Sequence, residues 1–217
     1  MRKTLICIVM SGVVGSVSAA QAEEVVIAAF GDSLTQGFGL PVEDGFVPQM
    51  QRWLDGQGAE VRLINAGVSG DTTAGGLARI GWTLSDDVDA MILALGANDV
   101  LRGLDPAKAK SNLEGILKAA QSAEVDVLLV GIQAGGNYGA DYKAQFDAIY
   151  PDLAVTYEVS YAASFFVGLM QDGALPPLSA LLPMLQSDGL HPNATGVAEI
   201  VKGLGPHVLE LVATAQN

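Results

Sequence analysis

The chain has 217 residues, enough for a single domain with a well-buried core. Half of them are apolar and 16% are charged, which excludes a disordered chain. With 24 acidic residues against 11 basic, the net charge is −13, and such a surface repels nucleic acid and anionic membranes.

In chain order, the first segment has the anatomy of a secretory signal peptide over residues 1–22. Arg2 and Lys3 precede an apolar core over 5–17, and Ala20, Gln21 and Ala22 offer a small-residue cleavage site before Glu23 and Glu24. That core falls short of the roughly 20 apolar residues a membrane span needs, and no later stretch reaches that length, so no stable membrane anchor is expected. Export to the periplasm or the medium is. The single cysteine, Cys7, lies inside this segment, so the mature chain has no disulfide, zinc-thiolate site or cysteine nucleophile. Cleavage also removes Arg2 and Lys3 and leaves 9 basic residues against 24 acidic, a net charge of 9 − 24 = −15.

The apolar, β-branched run over 25–30 reads as a buried strand. It stops at Gly31, Asp32 and Ser33. A loop over 37–45 leads to Phe46, Val47, Met50, Trp53 and Leu54, spaced for one face of a helix. A short strand over 61–64 ends in a turn containing Gly70, and Leu77, Ile80 and Leu84 mark the helix that follows. Residues 90–95 form a continuous apolar run, suited to a strand covered on both faces, and it stops at Gly96, Ala97, Asn98 and Asp99. Pro106 opens a helix carrying Leu113, Ile116 and Leu117.

A fourth strand is expected over 125–132, running into the glycine-rich loop 135–139. The pattern over 141–157 is helical, with Pro151 expected to break or kink it. A weaker fifth strand spans 159–166. Residues 169–186, punctuated by Pro176, Pro177 and Pro183, read as loop with one short helix, and an amphipathic helix over 194–213 closes the chain. Strands alternating with helices imply one domain over 23–217, a five-stranded parallel sheet between two helical layers, an α/β fold of flavodoxin-like type. No internal repeat or linker interrupts it.

Three successive strands end in small polar or glycine-rich turns, at Ser33, Gly70 and Asn98. In a doubly wound sheet the first and third strands are neighbours at the topological switch point, so Ser33 and Asn98 face one crevice. Each also has an ordinary explanation, since serine and asparagine cap helices and glycine makes turns. A serine nucleophile needs a base, and there are two histidines, His191 and His207. His207 follows Pro206 inside a helical pattern. His191 stands three residues after Asp188 in a tight turn, where a carboxylate can orient the imidazole.

Together these blocks resemble the GDSL, or SGNH, hydrolase family: Gly31-Asp32-Ser33-Leu34, Gly70, Gly96-Ala97-Asn98-Asp99 and Asp188-Gly189-Leu190-His191-Pro192, in the family's order. Asn65-Ala66-Gly67-Val68-Ser69-Gly70-Asp71-Thr72, Leu101-Arg102-Gly103 and Asn137-Tyr138-Gly139 resemble its exported bacterial thioesterase/lysophospholipase and arylesterase branch. One position departs: Ala97 stands where a second glycine is common, and would strain the loop if that site required positive φ. The resemblance implies an SGNH-hydrolase fold with Ser33 as nucleophile, His191 as base and Asp188 orienting it. The oxyanion hole would combine the backbone N–H groups of Ser33 and Gly70 with the Asn98 amide. Asp32 and Asp99 are read as structural.

The substrates so implied are small acyl esters or thioesters, with no cofactor, no metal, no nucleic-acid partner and a monomeric enzyme. A carbohydrate O-acetylesterase of the same fold is the alternative, and a non-catalytic exported binding protein the alternative from another class. Candidate substrate-binding residues are Leu178 and Leu181, from the apolar stretch over 165–185, together with Asn137 and Tyr138. That apolar stretch could equally pack on the sheet as core.

Overall fold

The computed structural model describes residues 24–216, so the leader expected over 1–22 lies outside the described residues. Five strands, β1 (Val25–Gly31), β2 (Val61–Gly67), β3 (Ala90–Ala94), β4 (Asp126–Val130) and β5 (Ser160–Ala162), form one wholly parallel sheet in the order β2-β1-β3-β4-β5. β1 and β3 are buried along their whole length, which is why their sequences are continuously apolar rather than alternating. β2, at the edge, exposes Arg62 and Asn65.

The crossovers dictate the layers. From β1 the chain steps one way to β2 and the opposite way for every later strand, and right-handed connections therefore put the first crossover helix on one face and the rest on the other. α2 (Phe46–Gly56) packs with the C-terminal α9 (Ala194–Ala215) on the first face, and α3 (Thr73–Thr83), α5 (Pro106–Ser122) and α7 (Ile149–Tyr157) pack on the second. Start signals are local: Asp105 accepts from the Ala107 N–H with Pro106 in the first turn of α5, and Asn193 accepts from the Gly196 N–H at the head of α9.

Three elements depart most from the sequence expectation. The helix expected over 141–157 is two, α6 (Ala140–Asp147) and α7, with the break at Ala148 rather than at the proline. Pro151 has no N–H to give the Asp147 carbonyl, so α6 stops there and the proline sits in the first turn of α7. The fifth strand is three residues, not eight, because buried Ser164 accepts from the Phe166 N–H and turns the chain into a short 3-10 segment over 167–169. β2 runs to Gly67, three residues beyond its expected end.

Register sets the height of the functional turns. Gly31 pairs with Gly67 on one side and Ala94 on the other, so the turns after β1, β2 and β3 leave the sheet at one level. The order 2-1-3-4-5 makes the gap beyond the carboxyl ends of β1 and β3 the switch-point crevice.

Candidate active site

Ser33 opens α1 (Ser33–Gln36), the single helical turn that follows β1. Asp32 caps it, its Oδ1 accepting from the Leu34 N–H at 3.0 Å. Gly31 is obligatory for close packing: a Cβ there would lie 2.0 Å from Thr35 Oγ1 and 2.8 Å from the Ala94 carbonyl. The turn is therefore wedged between strand ends, with the serine hydroxyl facing the crevice.

The chain between α8 (Leu178–Leu181) and α9 supplies the partners. Leu185 bridges to Pro192, Gln186 N–H donates to the His191 carbonyl at 2.8 Å, and Gly189 N–H donates to the Gln186 carbonyl. Gln186 Nε2 donates to the carbonyls of Phe38 and Pro192, tying this turn to the loop after α1. Phe38 packs on the His191 ring with centroids 4.8 Å apart. So held, His191 places Nε2 3.0 Å from Ser33 Oγ and Nδ1 2.7 Å from Asp188 Oδ2. Asp188 Oδ1 accepts from the N–H groups of Leu190 and His191. The His191 hydrogen bond, with these backbone donors, pulls the Asp188 carboxyl down to about 2, so it is ionised throughout the working range.

Opposite, α4 (Ala97–Leu101) begins directly after β3. The left-handed φ of 127° falls on Gly96, where a Cβ would strike the Tyr150 hydroxyl, while Ala97 starts the helix without positive φ. The alanine thus causes none of the strain its departure from the double-glycine pattern would imply. Tyr150 is fully buried and donates to the Leu95 carbonyl at 2.7 Å, and burial pushes its hydroxyl well up, so it stays a donor. Asn98 Nδ2 donates to Asp32 Oδ2 at 3.3 Å, leaving its second N–H for the crevice. Asp99 is buried and accepts from the N–H and hydroxyl of Thr73, pinning α4 to α3. Among the described residues, the backbone N–H groups of Ser33 and Gly70 donate to no other protein group.

Asp32 has an unusual carboxyl. It is 1% exposed, and burial raises it to about 6 despite hydrogen bonds from Leu34 and Asn98 that pull it down.

Arg79, on α3, is a positioning residue the sequence reading missed. Its Nε binds Asp71 Oδ2 at 2.7 Å, Nη1 binds the Ala66 carbonyl at 2.9 Å, Nη2 binds the Gly31 carbonyl at 3.0 Å, and its guanidinium lies 3.9 Å from the Phe30 ring centroid. It joins the ends of β1 and β2 to the Gly70 loop. A cation amid the apolar positions Leu77, Ile80 and Leu84 was the available signal.

Ser33, Gly70, Asn98 and His191 share one cleft of about 490 Å³. Its wall comes from Leu34, Ile132, Phe166 and Leu175, and Asn137 reaches it from the loop after β4. Of the four expected substrate contacts Asn137 lines the cleft, and Leu178, Leu181 and Tyr138 do not. Leu178 is 58% exposed and Leu181 packs against the core edge, while Leu175 lines the cleft. Tyr138 is exposed, its hydroxyl donating to the Leu101 carbonyl and its ring beside Gly103. His207 is half-buried along α9, away from the cleft. Among the described residues, no group of three or more His, Cys, Asp or Glu could hold a metal ion, and no helix is long and apolar enough to cross a membrane.

A model of the GDSL-like lipase/acylhydrolase family matches residues 29–198, from β1 to the start of α9. The chain belongs to that family. Among GDSL relatives, esterase TesA of Pseudomonas aeruginosa is 32% identical over 193 residues, 88% of this chain and 92% of that protein. An arylesterase of Vibrio mimicus is 34% identical over 177 residues, 81% of this chain and 84% of that one. Among solved structures, AlinE4, described as an SGNH-hydrolase family esterase, has a TM-score of 0.70 at 40% identity, covering 88% of this chain and 98% of that one.

Proposed function

We propose that this GDSL-family chain is a serine hydrolase of carboxylic esters and simple thioesters, acting through an acyl-enzyme on Ser33. One observation carries the reading: the Ser33–His191–Asp188 relay, at 3.0 and 2.7 Å, opens on an apolar cleft beside unpartnered N–H donors.

Ser33 Oγ attacks the acyl carbonyl while His191 Nε2 takes its proton, and Asp188 holds the ring so that Nε2 is the acceptor. Charge gathers on the carbonyl oxygen, which the N–H groups of Ser33 and Gly70 and the Asn98 amide receive. Each such donor is worth about 3 kcal/mol of barrier. The tetrahedral adduct collapses, His191 returns the proton to the departing alcohol or thiol, and the acyl group stays on Ser33. Water, deprotonated by His191, then repeats the cycle and releases the acid.

The leader over 1–22 supports export, so the mature enzyme works in the periplasm or the medium. N-terminal sequencing of the exported product should begin at Glu23. The activity is tested with p-nitrophenyl esters of increasing chain length, beside acetylated xylan. Ester turnover that disappears in His191→Gln supports the reading. Efficient xylan deacetylation with feeble aryl-ester turnover would favour the carbohydrate alternative, and no turnover of either would refute it.

A further inference from the structure

Nine basic residues follow the leader, and five of them are paired: Arg62, Arg79, Lys110, Lys143 and Lys202 each lie within ion-pair distance of a carboxylate. Of the other four, Arg52 stands on α2 and Lys108 and Lys118 on α5, and none of the three adjoins a residue that lines the cleft. Arg102 does. It ends α4 directly after lining Leu101, its backbone N–H donating to the Asn98 carbonyl at 3.2 Å, and its exposed side chain gives Nη2 to the carbonyl of lining Gly70 at 2.8 Å. It therefore joins the helix that carries Asn98 to the Gly70 turn.

The carboxylates near these anchors are committed to other partners. Asp71, beside Gly70, binds Arg79 at 2.7 Å, buried Asp99 accepts from Thr73, and Asp105 accepts from the Ala107 N–H. Among the described residues, the Arg102 side chain bonds only a neutral carbonyl and pairs with no carboxylate. Most of its guanidinium donors are left at the rim. The wall inside, from Leu34, Ile132, Phe166 and Leu175, suits an acyl chain, so a polar leaving group stays at that rim. A guanidinium with spare donors takes a phosphate through two parallel N–H groups. Long-range repulsion by the acidic chain fades within about a Debye length, roughly 10 Å at 0.1 M salt, and a contact pair survives it better.

Resting on the ester-hydrolase reading, we propose that Arg102 is a specificity residue, holding a phosphate carried by the leaving group. The phosphate could come from a glycerol phosphate headgroup, a few bonds from the scissile ester, or from coenzyme A at longer reach. Hydrolysis itself is unchanged.

The test pairs substrates that differ in phosphate: 1-butanoylglycerol with 1-butanoylglycerol 3-phosphate, and butanoylpantetheine with butanoyl-CoA, each followed by butanoate release from the mature enzyme at low ionic strength. Arg102→Gln should lower kcat/KM for a phosphate-bearing member about five- to tenfold more than for its neutral partner, and Arg102→Lys should lose less of that ratio. Arg52 also bonds only a main-chain carbonyl, that of Glu43, so Arg52→Gln removes the same charge far from the lining and should leave both ratios as in wild type. A change confined to the glycerol pair supports the assignment with a lipid-type headgroup as the source, and one confined to the coenzyme A pair supports it with a nucleotide. Ratios that stay at the wild-type value in Arg102→Gln, whether through equal losses or none, overturn it and leave Arg102 a mere support of the Gly70 turn. An equal shift in Arg52→Gln overturns it too, since the effect would then belong to overall charge. If wild type hydrolyses none of the four, nor p-nitrophenyl butanoate, the hydrolase reading itself fails.

Discussion

Replacing Asp32 with asparagine should make the protein more stable at neutral pH and a poorer catalyst at the same time. Burial raises the Asp32 carboxyl from 3.8 to about 6, so between those pH values the folded chain holds a proton that the unfolded chain has released. Stability from this group is therefore greatest below pH 3.8, falls as the pH rises, and reaches its floor above about pH 6. The difference between 3.8 and about 6 corresponds to about 3 kcal/mol, and at 1% exposure solvent screens little of it. Asparagine has no charge to desolvate, so in urea unfolding the stability of the variant relative to wild type should rise by up to about 3 kcal/mol between pH 4 and pH 8. Catalysis should move the other way. The new amide can still accept from the Leu34 N–H through its oxygen, but its nitrogen then meets Asn98 Nδ2 donor to donor, and the Asn98 amide turns out of line. Loss of one oxyanion donor lowers kcat by about 10²- to 10³-fold. A stability difference independent of pH, or an unchanged kcat, would refute the reasoning.

Other substitutions probe separate parts of the site. Asp188→Asn should cut kcat by about 10⁴-fold with little change in KM, because the imidazole loses the carboxylate that fixes its tautomer; a loss below tenfold in steady-state kinetics would remove Asp188 from its positioning role. Arg79→Met should lower kcat and cost about 1–3 kcal/mol in urea unfolding, since the carbonyls of Gly31 and Ala66 lose a charged donor; wild-type kcat would show that the Gly70 loop holds itself. Phe166→Ala should shift chain-length preference in kcat/KM toward longer acyl groups by about 1–3 kcal/mol per methylene accommodated, and an unchanged profile would put the acyl group elsewhere in the cleft.

The sheet was legible because β1, β3 and β4 are covered on both faces, so their apolar runs are nearly unbroken and each stops at a polar or glycine turn. The stops of β1 and β3 exposed Ser33 and Asn98, the turn after edge strand β2 exposed Gly70, and the short Asp188–His191 spacing exposed the pair now seen against Ser33. Cleft walls were not legible. Phe166, Leu175, Leu178 and Leu181 are equally apolar, and apolarity alone does not say which of them line the cleft, as Phe166 and Leu175 do. Arg79 was harder to read: a cation amid apolar helix positions stood out, but beside Asp71 its partners are main-chain carbonyls on two strands, which no side-chain pattern announces. The break at Ala148 was displaced from Pro151 because proline acts on the carbonyl four residues earlier, not on its own position.

Nucleophilic attack by Ser33 is tested most directly by labelling the mature protein with a fluorophosphonate and locating the adduct by peptide mass spectrometry. A single adduct on Ser33, absent in Ser33→Ala and strongly slowed in His191→Gln, is the expected result. An adduct on another serine, or a Ser33→Ala variant that still hydrolyses p-nitrophenyl esters, would contradict it.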